Sequence, residues 1–238
     1  MTDILLKTDS LWAGYGGKPV LQGVDLAIGK GEIVAVIGRN GVGKSTLMKS
    51  LIGLLPSFKG GITFGDTDIR KLPAHKRARL GIGYVPQGRD VFPRMTVEEN
   101  LKVGASIAPG AKVDPAIYDE IYQYFPILAE RRTQRAGTLS GGQQQQLAIG
   151  RVLVGRPSLV LLDEPSEGIQ PSIVQDIARI AVELNRSTGV AIAFVEQNID
   201  MIRAMAQRCY VMDKGRITAE LTPQMLDSRE TVRRYLAV

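Results

Sequence analysis

An α/β fold built on a largely parallel sheet is the class this sequence predicts. Three observations predict it. Ile33–Ile37, Leu159–Leu162 and Val190–Val195 are unbroken apolar runs, which marks strands buried on both faces. A segment with helical spacing, about Ile173–Asn185, separates the last two. A glycine-rich loop directly after the first run leads into another helix, the order found where parallel strands feed crossover helices.

Taken in order, Leu11–Tyr15 and Val20–Ile28 are short alternating segments beside glycine turns and the Lys30-Gly31 turn. They read as small antiparallel strands ahead of the parallel sheet. After Ile33–Ile37 a helix starts near Ser45, with Leu47, Leu51 and Leu54/Leu55 at helical spacing, and is predicted to stop at Pro56. From about 87 to 142 the pattern changes. Val97–Val103 and Ile117–Ala129 are helical, prolines punctuate the stretch and no buried-strand run occurs, so a helical lobe inserted in the core is expected. Tyr210–Leu221 reads as a hairpin turning at Asp213-Lys214-Gly215, and Arg229–Tyr235 as a final helix. The whole chain, 1–238, is thus read as one large domain.

Composition bounds the function. Hydrophobic residues make up 44% and charged residues 23%, the profile of a globular protein. No apolar run approaches the ~18 residues of a membrane span, and the start lacks a signal-peptide pattern. One cysteine, Cys209, rules out an internal disulfide and fits a reducing compartment. These features predict a cytoplasmic protein that reaches a membrane only through partners. The net charge of +6 is spread out, with clusters at 70–79 and 131–135 that lack interleaved aromatics, so a solvated basic face is expected and no nucleic-acid partner.

Two stretches point to phosphate chemistry. "GRNGVGKST" (Gly38, Arg39, Asn40, Gly41, Val42, Gly43, Lys44, Ser45, Thr46) matches G-x-x-x-x-G-K-[ST] between a buried strand and a helix. Glycines let backbone N–H groups surround a phosphate at a helix N-terminus; Lys44 is placed for the β- and γ-phosphates and Ser45 for Mg²⁺. "LVLLDEP" supplies Asp163 at the carboxyl end of a buried strand, for the magnesium shell, and Glu164 beside it, to polarise an attacking water. In "TLSGGQQQQ", Ser140, Gly141, Gly142 and Gln143 open a helix and offer a second anion-binding N-terminus.

LSGGQ together with these loops, in this order, resembles the ABC transporter ATPase family over essentially the whole chain. The resemblance implies a P-loop NTPase fold with a RecA-like core, an N-terminal antiparallel β-subdomain and a helical subdomain. It implies ATP and Mg²⁺ held between two cassettes, the phosphate loop of one facing Ser140–Gln143 of the other. It also implies that Tyr15 stacks on adenine and that Gln87 in "YVPQGRDVF" acts as the Q-loop residue near the metal. "VPQGRDVFPRMTVEENL", "LSGGQQQQLAIGR" and "LDEPSEGIQPSIVQDI" look like the ATPases of branched-chain amino acid and amide importers, the last two most like the urea transporter subunit. That likeness implies bacterial urea uptake, with a sister ATPase forming a heterodimer, two permease subunits, a periplasmic solute-binding protein and a position on the inner face of the cell membrane. Homodimerisation of the isolated chain stays open.

Two departures matter. Gln197 stands where a switch histidine is usual, and Gln170 where an aspartate is usual. An amide donates a hydrogen bond but cannot titrate or carry charge, so a working but weakened site is expected at this chain's own phosphate loop. Phe92, Pro93 and Met95 are expected to form a groove for a permease helix. Two other classes compete. A nucleic-acid-handling ABC ATPase would bring coiled-coil or zinc insertions or a second cassette. A kinase would not carry the LSGGQ helix, and a GTPase would carry Asn-Lys-x-Asp. None of these features fits this sequence.

Overall fold

The computed structural model describes residues 3–106 and 114–236. Two sheets organise them. The first is antiparallel, of β1 (Ile4–Tyr15), β2 (Lys18–Gly29), β4 (Ser57–Phe64) and β5 (Thr67–Asp68), in the order β2-β1-β4-β5. The second has the order β10-β9-β3-β8-β7-β6, from β3 (Ile33–Ile37), β6 (Ile82–Val85), β7 (Leu159–Asp163), β8 (Ala191–Glu196), β9 (Arg208–Asp213) and β10 (Arg216–Leu221). It is parallel except at the β10 edge.

The helices are α1 (Lys44–Ile52), α2 (Ala74–Arg79), α3 (Val97–Ala105), α4 (Ala116–Tyr124), α5 (Pro126–Glu130), α6 (Gly141–Leu153), α7 (Pro171–Thr188), α8 (Ile199–Met205) and α9 (Arg229–Leu236). Among the described residues no helix is long and apolar enough to cross a membrane.

The unbroken apolar strands have a direct cause: alternate residues enter two different cores. Ile33, Ala35, Ile37, Val160, Leu162, Ile192 and Phe194 join one, shared with α3 through α8. Val34, Val36, Leu159, Leu161, Ala191, Ala193 and Val195 join the other, shared with the antiparallel sheet and α1. A side-chain period of two with both faces covered leaves no polar position.

Several boundaries differ from the sequence reading. β1 begins at Ile4, not Leu11, because register shifts between Thr8 and Leu11 break its alternation, with Ser10 at φ 43°. The Lys30-Gly31 turn, present as expected, joins β2 to β3, which lie in different sheets. Helix α1 ends at Ile52, not Pro56: Gly53 caps it in the left-handed region at φ 86°, its N–H bonded to the Lys49 and Ser50 carbonyls. The predicted helix 117–129 is two, broken where Pro126 opens α5. Strands β4, β5 and β6 and helices α2 and α8 carry no clean period and escape the reading.

The basic stretch 70–79 is also not wholly a solvated face. Arg77 is 2% exposed and donates to the Ser50, Leu51, Leu72 and Arg70 carbonyls, the first two at the C-terminal end of α1. A guanidinium there satisfies carbonyls the helix leaves open and suits its dipole. Burial lowers its pKa to about 10.

Candidate active site

Four neighbouring strands, β3, β8, β7 and β6, deliver their carboxyl ends to one rim of the sheet. The phosphate loop follows β3, Gln197 follows β8, Glu164 follows β7 and Gln87 follows β6. Parallel strands place every carboxyl end on the same side, which is why residues far apart in sequence meet here.

The loop from Gly38 to Gly43 runs into α1. A Cβ at Gly38 would stand 2.3 Å from the Met212 carbonyl of β9, so only glycine fits; Gly41, with open space around it, is required by its φ of 77°. Lys44 is 4% exposed, and its Nζ donates to the Gly38 and Arg39 carbonyls at 2.9 and 3.0 Å. Arg39 and Asn40 are exposed on the loop, and Thr46 is buried in α1.

Ser45 Oγ donates to Asp163 Oδ1 at 2.8 Å, and the Tyr84 hydroxyl donates to Asp163 Oδ2 at 3.1 Å. Asp163 is 1% exposed, and burial pushes its carboxyl above the usual range, against the two hydrogen bonds and the Lys49 and Lys44 charges. Tyr84 is raised further above an ordinary phenol, first by burial and then by the Asp163 charge, and stays a neutral donor. These residues fit Mg²⁺: two hard oxygens converge and leave most of an octahedron to water and phosphate oxygens. Among the described residues no group of three or more His, Cys, Asp or Glu is poised to hold a metal, so no all-protein cage competes.

Glu164 is the hub. It sits in the left-handed region at φ 47°. Lys44 Nζ lies 3.6 Å from Oε1, Gln197 Nε2 donates to Oε1 at 3.2 Å and Gln87 Nε2 to Oε2 at 3.3 Å. Gln197 also donates to Asn40 Oδ1 at 2.6 Å. Gln87 Nε2 donates to Glu167 Oε2 at 2.9 Å as well; the metal-ligand role the sequence reading expects of Gln87 would fall to its other amide atom, Oε1.

Tyr15 ends β1 with its ring half exposed, and the hairpin it enters touches the phosphate loop where Val20 and Leu21 flank Gly43. Ser140, Gly141, Gly142 and Gln143 open α6 as expected but form a reciprocal cap: Ser140 Oγ accepts from Gln143 N at 3.3 Å and Gln143 Oε1 from Ser140 N at 2.9 Å. Their hydrogen bonds do not reach this chain's phosphate loop. Gly142 is buried, and a Cβ there would meet Ile173 of α7 at 2.5 Å, so its bareness serves helix packing. Gln170 precedes α7 without capping it through its side chain.

Four residues near the centre escape the sequence reading: Tyr84, Glu167, Arg89 and Glu196. Arg89 donates to the Glu167 and Gly168 carbonyls at 2.9 and 3.3 Å. A Tyr two residues before a polar turn or a Glu at a strand end carries no signal until neighbouring strands are placed.

Known proteins resemble this chain along most of its length. The family described as ABC transporter matches residues 21–167. The branched-chain amino acid transport ATP-binding protein BraG of Pseudomonas aeruginosa is 43% identical over 230 residues, 96% of this chain and 97% of its own. LivF of Archaeoglobus fulgidus, a probable branched-chain amino acid transport ATP-binding protein, is 37% identical over 95% of both chains. LptB of Escherichia coli, from a lipopolysaccharide export system, is 35% identical over 96% of this chain and 95% of its own. Among solved structures, CbiO1 of Clostridium perfringens, part of an ABC transporter complex, superposes with a TM-score of 0.83 at 29% identity, covering 98% of this chain and 94% of that one. The chain belongs to the ABC transporter family as an ATP-binding subunit, an ATPase that works with Mg²⁺ and is coupled to transport.

Proposed function

We propose that this ATPase powers an importer of branched-chain amino acids. The likeness to BraG, at higher identity than the export subunit, supports that solute class. Urea is the second reading, favoured by one observation: the stretches Gln143–Gln146 and Glu167–Ile173 resemble the urea subunit. The residues of an ATPase of this kind do not touch the solute, so neither reading rests on a ligand site.

The observation that carries the catalytic reading is the convergence of Lys44, Gln87 and Gln197 on Glu164. The loop N–H groups of Gly38–Thr46 bind the phosphates, and Lys44 exchanges the Gly38 and Arg39 carbonyls for phosphate oxygens. Ser45 and Asp163 hold Mg²⁺, which neutralises charge on those oxygens. Glu164 orients the attacking water and takes its proton; Gln87 and Gln197 hold that carboxylate, and Gln197 also offers an N–H toward the γ-phosphate. Tyr15 flanks the adenine.

Ser140–Gln143 act on the nucleotide of a partner cassette, since their own hydrogen bonds stay away from the phosphate loop beside Glu164. The partner in this reading is a sister ATPase carrying a histidine, so the site at this chain's Gln197 is the weaker of two. Two permeases dock on the segment from Gln87 to Leu101, within the helical lobe 87–142, where Phe92 and Met95 are exposed. A periplasmic binding protein delivers the solute, and the ATPases lie on the inner membrane face.

The test is uptake of labelled leucine and urea, in parallel, by cells lacking this gene and complemented with wild type or Glu164→Gln. Leucine uptake lost on deletion and restored only by wild type supports the proposal. Loss of urea uptake alone moves the chain to the second reading, and loss of neither overturns both.

A further inference from the structure

Glu196 ends β8 with its side chain 2% exposed, yet the catalytic reading gives it no part. Its Oε1 accepts the Ser166 N–H at 2.9 Å, while Oε2 accepts the Gln197 and Asn198 N–H groups at 2.7 and 2.9 Å. All three partners are backbone amides, so the buried carboxylate is held by aligned peptide dipoles, in charge-assisted bonds stronger than neutral ones. Ser166 lies in the turn that carries Glu164; Gln197 opens the next turn. A second tie joins the same two turns, since the Glu164 N–H bonds to the Val195 carbonyl at 3.1 Å. That backbone bond fixes one end of the pair of turns, and the Glu196 carboxylate fixes the other.

We propose that Glu196 is a positioning residue for ATP hydrolysis: it sets the separation between Glu164 and Gln197 by clamping the two turns that carry them. The inference rests on the ATPase reading of this site. The side chain of Gln197 is exposed, and its contacts to Glu164 and Asn40 depend on where its backbone is held. In Glu196→Gln, one acceptor becomes an NH₂ group facing a backbone N–H, whichever way the amide turns. At least one of the three bonds is then replaced by donor against donor.

The phosphate loop and Lys44 follow β3, and both hydrogen bonds of the Lys44 ammonium stay on that loop, at the Gly38 and Arg39 carbonyls; the clamped turns reach the loop only through Glu164, 3.6 Å from Lys44, and Gln197 on Asn40, so nucleotide binding should change less than turnover. The expected result for Glu196→Gln in the assembled transporter is a fall in kcat of about 10- to 100-fold, the scale for misplacing a reacting group by about 1 Å. KM for ATP should change less than kcat, because most of the binding contacts lie on the loop after β3. In a Gln197→Ala background the same change should cost much less, since the residue being positioned has gone.

A carboxylate that only stabilised the end of the sheet would give the same fold loss in both backgrounds, or none, and either result overturns the proposal. Hydrogen exchange on the wild-type chain keeps the test open if the variant does not fold. The Ser166, Gln197 and Asn198 amides should exchange at least about tenfold more slowly than exposed loop amides, and exchange at the loop rate overturns the clamp. A wild-type transporter that binds ATP without hydrolysing it sinks the ATPase reading instead, and the exchange measurement still decides whether the clamp exists.

Discussion

The side-chain amide of Gln197 donates to Glu164 Oε1 across 3.2 Å, so the residue after β8 and the residue after β7 touch through a group that is neutral at every working pH. Gln197→Ala removes this donor. Phosphate release at this chain's site, measured with the partner cassette's site disabled, should fall about 10- to 100-fold, near the lower range for losing one transition-state donor. Equal rates for variant and wild type would show that Gln197 takes no part. Gln197→His should add an inflection to the pH–rate profile near the ordinary imidazole value of ~6.5.

Asp163 gives a pH prediction with a definite sign. Burial raises its folded pKa above the unfolded value, so the folded metal-free chain holds this proton more tightly than the unfolded chain does. The associated stability is present in acid and is lost as pH rises through the raised pKa. Asp163→Asn should therefore raise the Tm of the metal- and nucleotide-free chain near neutral pH and have less effect in mild acid. The same substitution should abolish the extra Tm gained when Mg²⁺ accompanies ATP. A lower Tm for the variant at neutral pH would contradict the sign.

Gly104 of α3 lies against α6 so closely that a Cβ would stand 1.9 Å from the Arg151 carbonyl oxygen. Backbone cannot yield as a flexible side chain does, so Gly104→Ala should cost about 3 kcal/mol, at the upper end of ordinary overpacking. Denaturant unfolding measures this directly. A loss under about 0.5 kcal/mol, the range of neutral surface changes, would mean that the helices separate without strain.

Cys209 lies in β9 with 0% exposure, and burial pushes its thiol up to about 12. Thiolate is the reactive form, so a maleimide should leave the native protein unlabelled at neutral pH and label it fully in denaturant. Rapid native labelling would mean that β9 opens readily.

The sequence made the phosphate loop, Asp163, Glu164 and the α6 N-terminus legible because each sits where a continuous apolar strand or a helical period starts or stops. Asp163 closes a five-residue buried strand, and that position is what makes it a candidate in the sequence. Tyr84, Glu196 and Arg89 stayed hidden for the opposite reason: their partners are Asp163, Ser166 and Glu167, reached only across neighbouring strands or between turns. Arg77 misled in the same way. A run of basic residues has the composition of a solvated face, and only the end of α1 beside it makes one guanidinium a buried cap. Local pattern was weakest in β1, where a bulge resets the alternation within the strand.

Lys44 bears on how nucleotide arrives. Its ammonium is already out of water, 4% exposed, with the Gly38 and Arg39 carbonyls in place of hydration. Folding, rather than binding, therefore carries the cost of dehydrating this cation, which is the larger part of what a desolvated charge costs. An incoming phosphate trades places with two neutral carbonyl dipoles and competes with the Glu164 carboxylate 3.6 Å away, while shedding little water from the lysine, so the loop takes anions by a ligand exchange prepared in advance.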